Sequence, residues 1–163
     1  YIPQNFYAST KSEFEMILGY FVQRNRNTKF YNLKFYESYS EIDKRNKLIP
    51  TLYKNFKKNK TTKIVTKNLE LNIIHINDLI KSVYFILNKN IKSGDYCLKN
   101  SKNVKIQKLI KSINNKSSKP LKVKFLSNKA IKPKKSFLKS LPKWKADITI
   151  QKKIEKLFYN GIN

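Results

Sequence analysis

Apolar positions recur along this chain in two rhythms that take turns, and the alternation predicts an α/β fold. From Phe6 to Arg24, Tyr7, Phe14, Ile17, Leu18 and Phe21 fall at helical spacing. Tyr31, Leu33 and Phe35 then alternate as a strand. The helical period returns from Lys47 to Lys58, with Leu48, Ile49, Leu52, Tyr53 and Phe56 on one side. Lys63-Ile64-Val65 and Ile73-Ile74-His75-Ile76 are β-branched runs that predict strands. Asn77 or Asp78 can then cap a helix through Leu79, Ile80, Val83, Tyr84 and Leu87. A strand at Tyr96 to Leu98, a helix around Lys105 to Ile113 and a strand from Leu121 to Phe125 follow, with a polar loop from Asn114 to Pro120. Residues 127–140 are the least regular, and Thr149 precedes a final helix carrying Ile150, Ile154, Leu157 and Phe158.

Length and composition narrow the class. A chain of 163 residues that is 40% apolar fits one ordinary domain with a core, which excludes wholesale disorder. No apolar run approaches the roughly 18 residues of a membrane span, and no signal-peptide pattern opens the sequence. The single cysteine, Cys97, cannot close an internal disulfide and suits a reducing, cytoplasmic setting; its strand-like surroundings predict a buried thiol.

The formal charge of +26 is unevenly spread. Residues 1–81 carry +8 and residues 82–163 carry +18, and no acidic residue lies between Asp95 and Asp147. Such a stretch attracts polyanions. Yet only Arg24, Arg26 and Arg45 are arginines, and the lysines alternate with apolar residues as on the wet face of ordinary elements. No nucleic-acid motif is present, so nonspecific, salt-sensitive binding is expected and no specific nucleic-acid partner.

One spacing carries chemistry. Tyr7 and Lys11, four apart on a predicted helix, bring a phenol and an ammonium side by side. An adjacent cation favours the phenolate, which suits proton exchange with a hydroxyl or carbonyl. The spacing recurs at Tyr53 and Lys57, expected there as a solvated helix face.

The flanks of the first pair separate it from the second. Pro3-Gln4-Asn5-Phe6-Tyr7-Ala8-Ser9-Thr10-Lys11 resembles the catalytic helix, Pro-x-Asn-x-Tyr-x-x-[Ser/Thr]-Lys, of the extended short-chain dehydrogenase/reductases, the NAD(P)-dependent epimerase/dehydratase family. Later blocks resemble that family in order: Asn32 to Tyr39, which resembles a strand running into a loop, then Asp43 to Pro50, Asn72 to Leu79, and Leu141 to Asp147. The resemblance runs from Pro3 to about Phe158 and is similar in pattern to members that make CDP-linked deoxysugars.

The resemblance implies the C-terminal part of a Rossmann-type extended enzyme with its smaller substrate domain. Residues 1–45 would end the nucleotide-binding domain, and residues 46–163 would be mainly substrate-binding, with 72–88 packing back on the former. Tyr7 would be the general acid/base and Lys11 would hold the ribose of NAD or NADP. Tyr36 would face the nicotinamide, and Glu37 and Lys47 the substrate phosphates. Leu71 stands where the family has a diphosphate-binding arginine. Lys132, Lys134 or Lys135 could replace it, and Lys135 is the candidate. Glu37, in place of an asparagine, and Ser40-Glu41-Ile42, in place of Gly-Pro-Gly, are further departures.

The Gly-rich dinucleotide loop and the catalytic Ser or Thr of the family are not in these residues. Gly19, Gly94 and Gly161 are too far apart to form a phosphate turn. The expected partners are a nucleotide-sugar substrate and a complementary N-terminal half or a homodimer. Alone, the chain is expected to be inactive. A noncatalytic remnant of the family and a basic polyanion-binding module are the alternatives. His75, the sole histidine, is expected in the core and not on a metal, and Trp144 is expected to pack the final helix onto the domain.

Overall fold

The computed structural model describes residues 2–159; Gly161 lies outside them. The elements run α1 (Phe6–Arg24), β1 (Tyr31–Phe35), β2 (Glu37–Tyr39), α2 (Leu48–Lys57), β3 (Thr62–Ile64), β4 (Glu70–Leu71) and β5 (Ile73–His75). They continue α3 (Ile76–Asn88), β6 (Gly94–Leu98), β7 (Val104–Lys105), α4 (Ile106–Asn114), β8 (Val123–Phe125) and α5 (Ile150–Tyr159). Strands pair two by two: β1 with β6, β2 with β5 and β3 with β8 in parallel, and β4 with β7 antiparallel. Parallel pairing between strands far apart in sequence, with helices between them, is the α/β arrangement that the pattern predicts.

Two apolar cores form, and β5 serves both. Ile73 joins the larger one, where Leu52 and Phe56 of α2, Leu109 and Ile113 of α4 and Ile154 and Phe158 of α5 meet. The Phe158 ring stands edge-on to Phe56 at 5.2 Å and to Tyr53 at 5.6 Å. Emptying such a buried aromatic site costs about 3–5 kcal/mol. Ile74, one residue on and so on the other side of the strand, joins Ile86, Ile91, Tyr96, Leu98 and Leu141, with Tyr31, Leu33 and Trp144 packed against them.

Four expectations are corrected. Tyr53 is not on a solvated face: its ring is half-buried against Phe158, although Lys57 remains exposed. Trp144 packs in the smaller core, not under the final helix, because the Leu141–Ala146 segment follows β6, where the Cys97 N–H donates to the Lys139 carbonyl at 2.8 Å. His75, not Asn77 or Asp78, caps α3, its Nδ1 accepting from the Asn77 N–H at 3.2 Å. Asp78 is used elsewhere: it is buried, and its Oδ2 accepts from the Ile148 N–H at 3.1 Å, tethering the chain that enters α5. Residues 37–39 form a strand, not a loop, because β5 pairs with them.

Helix α1 is capped by Asn5, whose Oδ1 accepts from the Ala8 N–H at 2.9 Å. None of its residues is buried. Phe6, Phe14, Met16, Ile17, Tyr20 and Phe21 are each at least half exposed, an apolar area that soluble surfaces seldom leave uncovered.

Candidate functional site

An open cleft of about 580 Å³ lies between α1 and the ends of β1 and β2. Tyr7, Lys11, Phe14 and Glu15 line it from the helix, Asn32 to Ser38 from the strands, and Arg45 and Lys47 from the loop before α2. Five of the six sequence-predicted site residues, Tyr7, Lys11, Tyr36, Glu37 and Lys47, thus share one cavity. Lys135 does not line it.

Most cations of the cleft are neutralised in place. Lys34 Nζ lies 2.6 Å from Glu15, Arg45 Nη2 lies 2.6 Å from Asp43 and Lys47 Nζ lies 3.5 Å from Glu37. Lys11 makes no ion pair with any described residue, which leaves its ammonium available to a ligand. Its Nζ stands 5.6 Å from the centre of the Tyr7 ring.

That contact alone does not mark a site. Lys57 stands over the Tyr53 ring at 5.5 Å, the same geometry on a helix that serves the core. Surroundings separate the two: the Tyr53 ring leans on Phe158, whereas Tyr7 is 69% exposed in a cleft shared with residues up to forty positions away. Tyr39, also nearby, is unsuited to proton transfer. Burial, and next the Glu41 carboxylate, push its phenol far above the ordinary range, and its hydroxyl finds no hydrogen-bond partner among the described residues.

Arg45 is a cleft residue that sequence reasoning passed over. Its Nε and Nη2 grip the Asp43 carboxylate at 2.9 and 2.6 Å, and Nη2 also donates to Ser38 Oγ at 3.1 Å. The guanidinium therefore staples the loop to β2, and it holds the Asp43 carboxyl below the usual carboxylate range. Only its rarity as one of three arginines sets it apart in the sequence.

A second hollow of about 210 Å³ adjoins the cleft, sharing Glu37, Ser38 and Lys47 with it. Tyr39, Ile49, Pro50, Ile64, Val65, Leu69, Leu71 and Ile73 make it apolar, and Lys63 adds a further cation. None of Lys132, Lys134 and Lys135 lines either hollow. Lys132 approaches Glu70 at 3.9 Å, and the Lys134 carbonyl accepts from the Tyr36 hydroxyl at 2.6 Å.

His75 is buried in the core. Because its Nδ1 accepts a backbone N–H, the proton sits on Nε2 and is donated to Glu41 at 3.0 Å. Burial raises the Glu41 carboxyl, but its backbone N–H, His75 and Lys153 outweigh that and hold it below its ordinary value. Among the described residues no three of His, Cys, Asp and Glu gather as a metal site, and no helix is long and apolar enough to cross a membrane.

No family model matches the chain. CDP-abequose synthase of Salmonella muenchen is 23% identical over 160 residues, covering 93% of this chain and 54% of that protein. UDP-glucuronic acid 4-epimerase from Bacillus cereus, solved with UDP-glucuronic acid and NAD, superposes with a TM-score of 0.77 at 17% identity. dTDP-glucose 4,6-dehydratase from Bacillus anthracis, solved with NAD, superposes at 0.73 and 14%. Each covers 96% of this chain, which in turn spans 52% of theirs. The fold is that of the C-terminal part of a Rossmann-type extended short-chain dehydrogenase/reductase. The family resemblance carried by the sequence blocks is met by a curated relative and by the fold. The chain spans about half the length of the curated relative it matches.

Proposed function

We propose that this chain is the substrate-side part of an NAD(P)-dependent cytoplasmic enzyme that epimerises, dehydrates or reduces a nucleotide-activated sugar. The observation that carries the reading is the meeting of Tyr7, Lys11, Tyr36, Glu37 and Lys47 in one cleft. The relative named a CDP-abequose synthase favours a CDP-linked sugar within that class.

Tyr7 takes the part of general acid/base, exchanging a proton with a sugar hydroxyl through its exposed phenol. Lys11, with no ion pair to any described residue, orients a ribose hydroxyl and keeps a positive charge at the ring. When bound, a nicotinamide cofactor supplies hydride transfer. Among the described residues only the nicotinamide–ribose end finds a fit: Gly19 lies inside α1 and Gly94 in β6, so neither forms a phosphate-cradling turn. The pyrophosphate needs a second unit. The bare apolar face of α1 is where we seat that unit, a dinucleotide-binding half of the size by which the relatives exceed this chain.

Leu71 favours a second reading, a noncatalytic member that keeps the fold. It lines the apolar hollow where an arginine would have met phosphate, and the lysines considered as substitutes lie outside both hollows.

Hydrogen-exchange mapping during titration with a CDP-sugar tests the proposal. Protection is expected in residues 32–47 and in the first turns of α1. Protection confined to the lysine-rich 96–146 stretch would contradict it and favour the polyanion-binding module.

A further inference from the structure

We infer that Glu37 is a built-in competitor for the anion subsite, holding Lys47 against the phosphates of an incoming ligand and so setting which anions the cleft accepts; this rests on the nucleotide-sugar reading. Glu37 and Lys47 are 3.5 Å apart and both line the cleft and the apolar hollow alike. Any ligand reaching from Tyr7 into the apolar hollow passes this pair, and a nucleoside diphosphate carries its charge in its middle. The hollow suits the flat, weakly polar end of such a ligand, and Lys47 suits its phosphates.

The ion pair stands in the way without sealing the route. The Glu37 side chain is 29% exposed and that of Lys47 is 50% exposed, so water screens their attraction. Exposed pairs of this kind are worth about 0–1 kcal/mol. A diphosphate, with more charge than one carboxylate and oxygens on several sides, can draw Lys47 away. A ligand with a single carboxylate offers Lys47 nothing that Glu37 does not already supply. Once Lys47 has turned to phosphate, the freed Glu37 repels it, which lowers affinity further. Glu37 thus selects for multiply charged anions and weakens their binding at the same time.

The test is calorimetric titration of the 163-residue chain with CDP and with inorganic pyrophosphate. Glu37→Gln keeps the shape and removes the charge. Glu13→Gln, exposed on α1 and outside both hollows, controls for the change in net charge. Relative to that control, Glu37→Gln is expected to tighten both ligands on the order of fivefold, the equivalent of about 1 kcal/mol released from the pair. In a Lys47→Met background the gain from Glu37→Gln should shrink to the part owed to direct repulsion between Glu37 and the anion. Equal affinity in the two glutamine variants, a gain just as large in the Lys47→Met background, or no binding by any variant would overturn the inference. The functional reading fails separately. If Glu37→Gln tightens pyrophosphate but CDP binds no better than pyrophosphate, the competition stands and the nucleotide assignment falls. If CDP is preferred throughout and Glu37→Gln changes nothing, the reverse holds.

Discussion

The Tyr36 hydroxyl donates to the Lys134 carbonyl at 2.6 Å, joining the cleft to a residue 98 positions away. Residues 127–140 contain no helix and only isolated bridges, Leu69 with Ile131 and Cys97 with Ser140. Such a segment depends on single bonds of this kind. Tyr36→Phe should therefore raise amide exchange in residues 132–138 while lowering global stability by only about 1 kcal/mol. Unchanged exchange there would show that the bond does not order the segment.

Lys143 has φ +59°, a left-handed conformation that a side chain resists. Lys143→Gly should raise stability by up to about 1 kcal/mol, read as a higher denaturation midpoint at constant slope. Asn59, also left-handed at φ +53°, follows α2 where asparagine is tolerated. Asn59→Gly should accordingly do little, and an equal gain at both sites would contradict the distinction.

Acid should weaken the loop before α2. Asp43 is held below its ordinary value, chiefly by the Arg45 side chain. A carboxyl depressed in the folded state contributes stability above its unfolded pKa of about 3.9, and that contribution is lost as pH falls through the lower folded value. Asp43→Asn should remove this part of the acid dependence and flatten the stability curve below about pH 4. A curve as steep as wild type would mean that the pair is not coupled to folding.

The charge should act without sequence preference. Lys63 and Lys124 stand directly opposite each other on the exposed side of the β3–β8 pair, a like-charge contact that an anion would relieve. Binding to duplex DNA should weaken steeply with salt, and Lys63→Gln with Lys124→Gln should lower that slope by about 2. A strong preference for one sequence at physiological salt would promote the polyanion-binding alternative.

Local rules carried much of this molecule. The helix at Phe6–Arg24 was legible from its apolar spacing, and its Asn5 cap lies within the quoted block. The cleft was legible only through the blocks, since nothing in the spacing of Tyr7, Tyr36 and Lys47 says that they meet. What escaped depends on partners distant in sequence. Glu70–Leu71 and Val104–Lys105 are strands of two residues, too short for any period, and exist because they pair with each other. Tyr53 looked like a copy of Tyr7 because helical spacing reports neighbours on the same helix, whereas Phe158, about a hundred residues on, decides its surroundings. His75 took the cap because Asp78 was drawn away to Ile148.

The central claim is that Tyr7 exchanges the proton. The direct measurement is turnover of a nucleotide sugar by this chain supplied with a dinucleotide-binding half, fused or co-expressed, comparing Tyr7→Phe with Tyr53→Phe. Each substitution removes one hydroxyl and keeps the ring; the two parent tyrosines stand against their lysines at 5.6 and 5.5 Å. Tyr7→Phe should lower kcat on the order of 10²–10⁴-fold, as for loss of a general acid/base, and Tyr53→Phe should leave it nearly unchanged. Full activity in Tyr7→Phe, or equal losses at the two positions, would contradict the assignment.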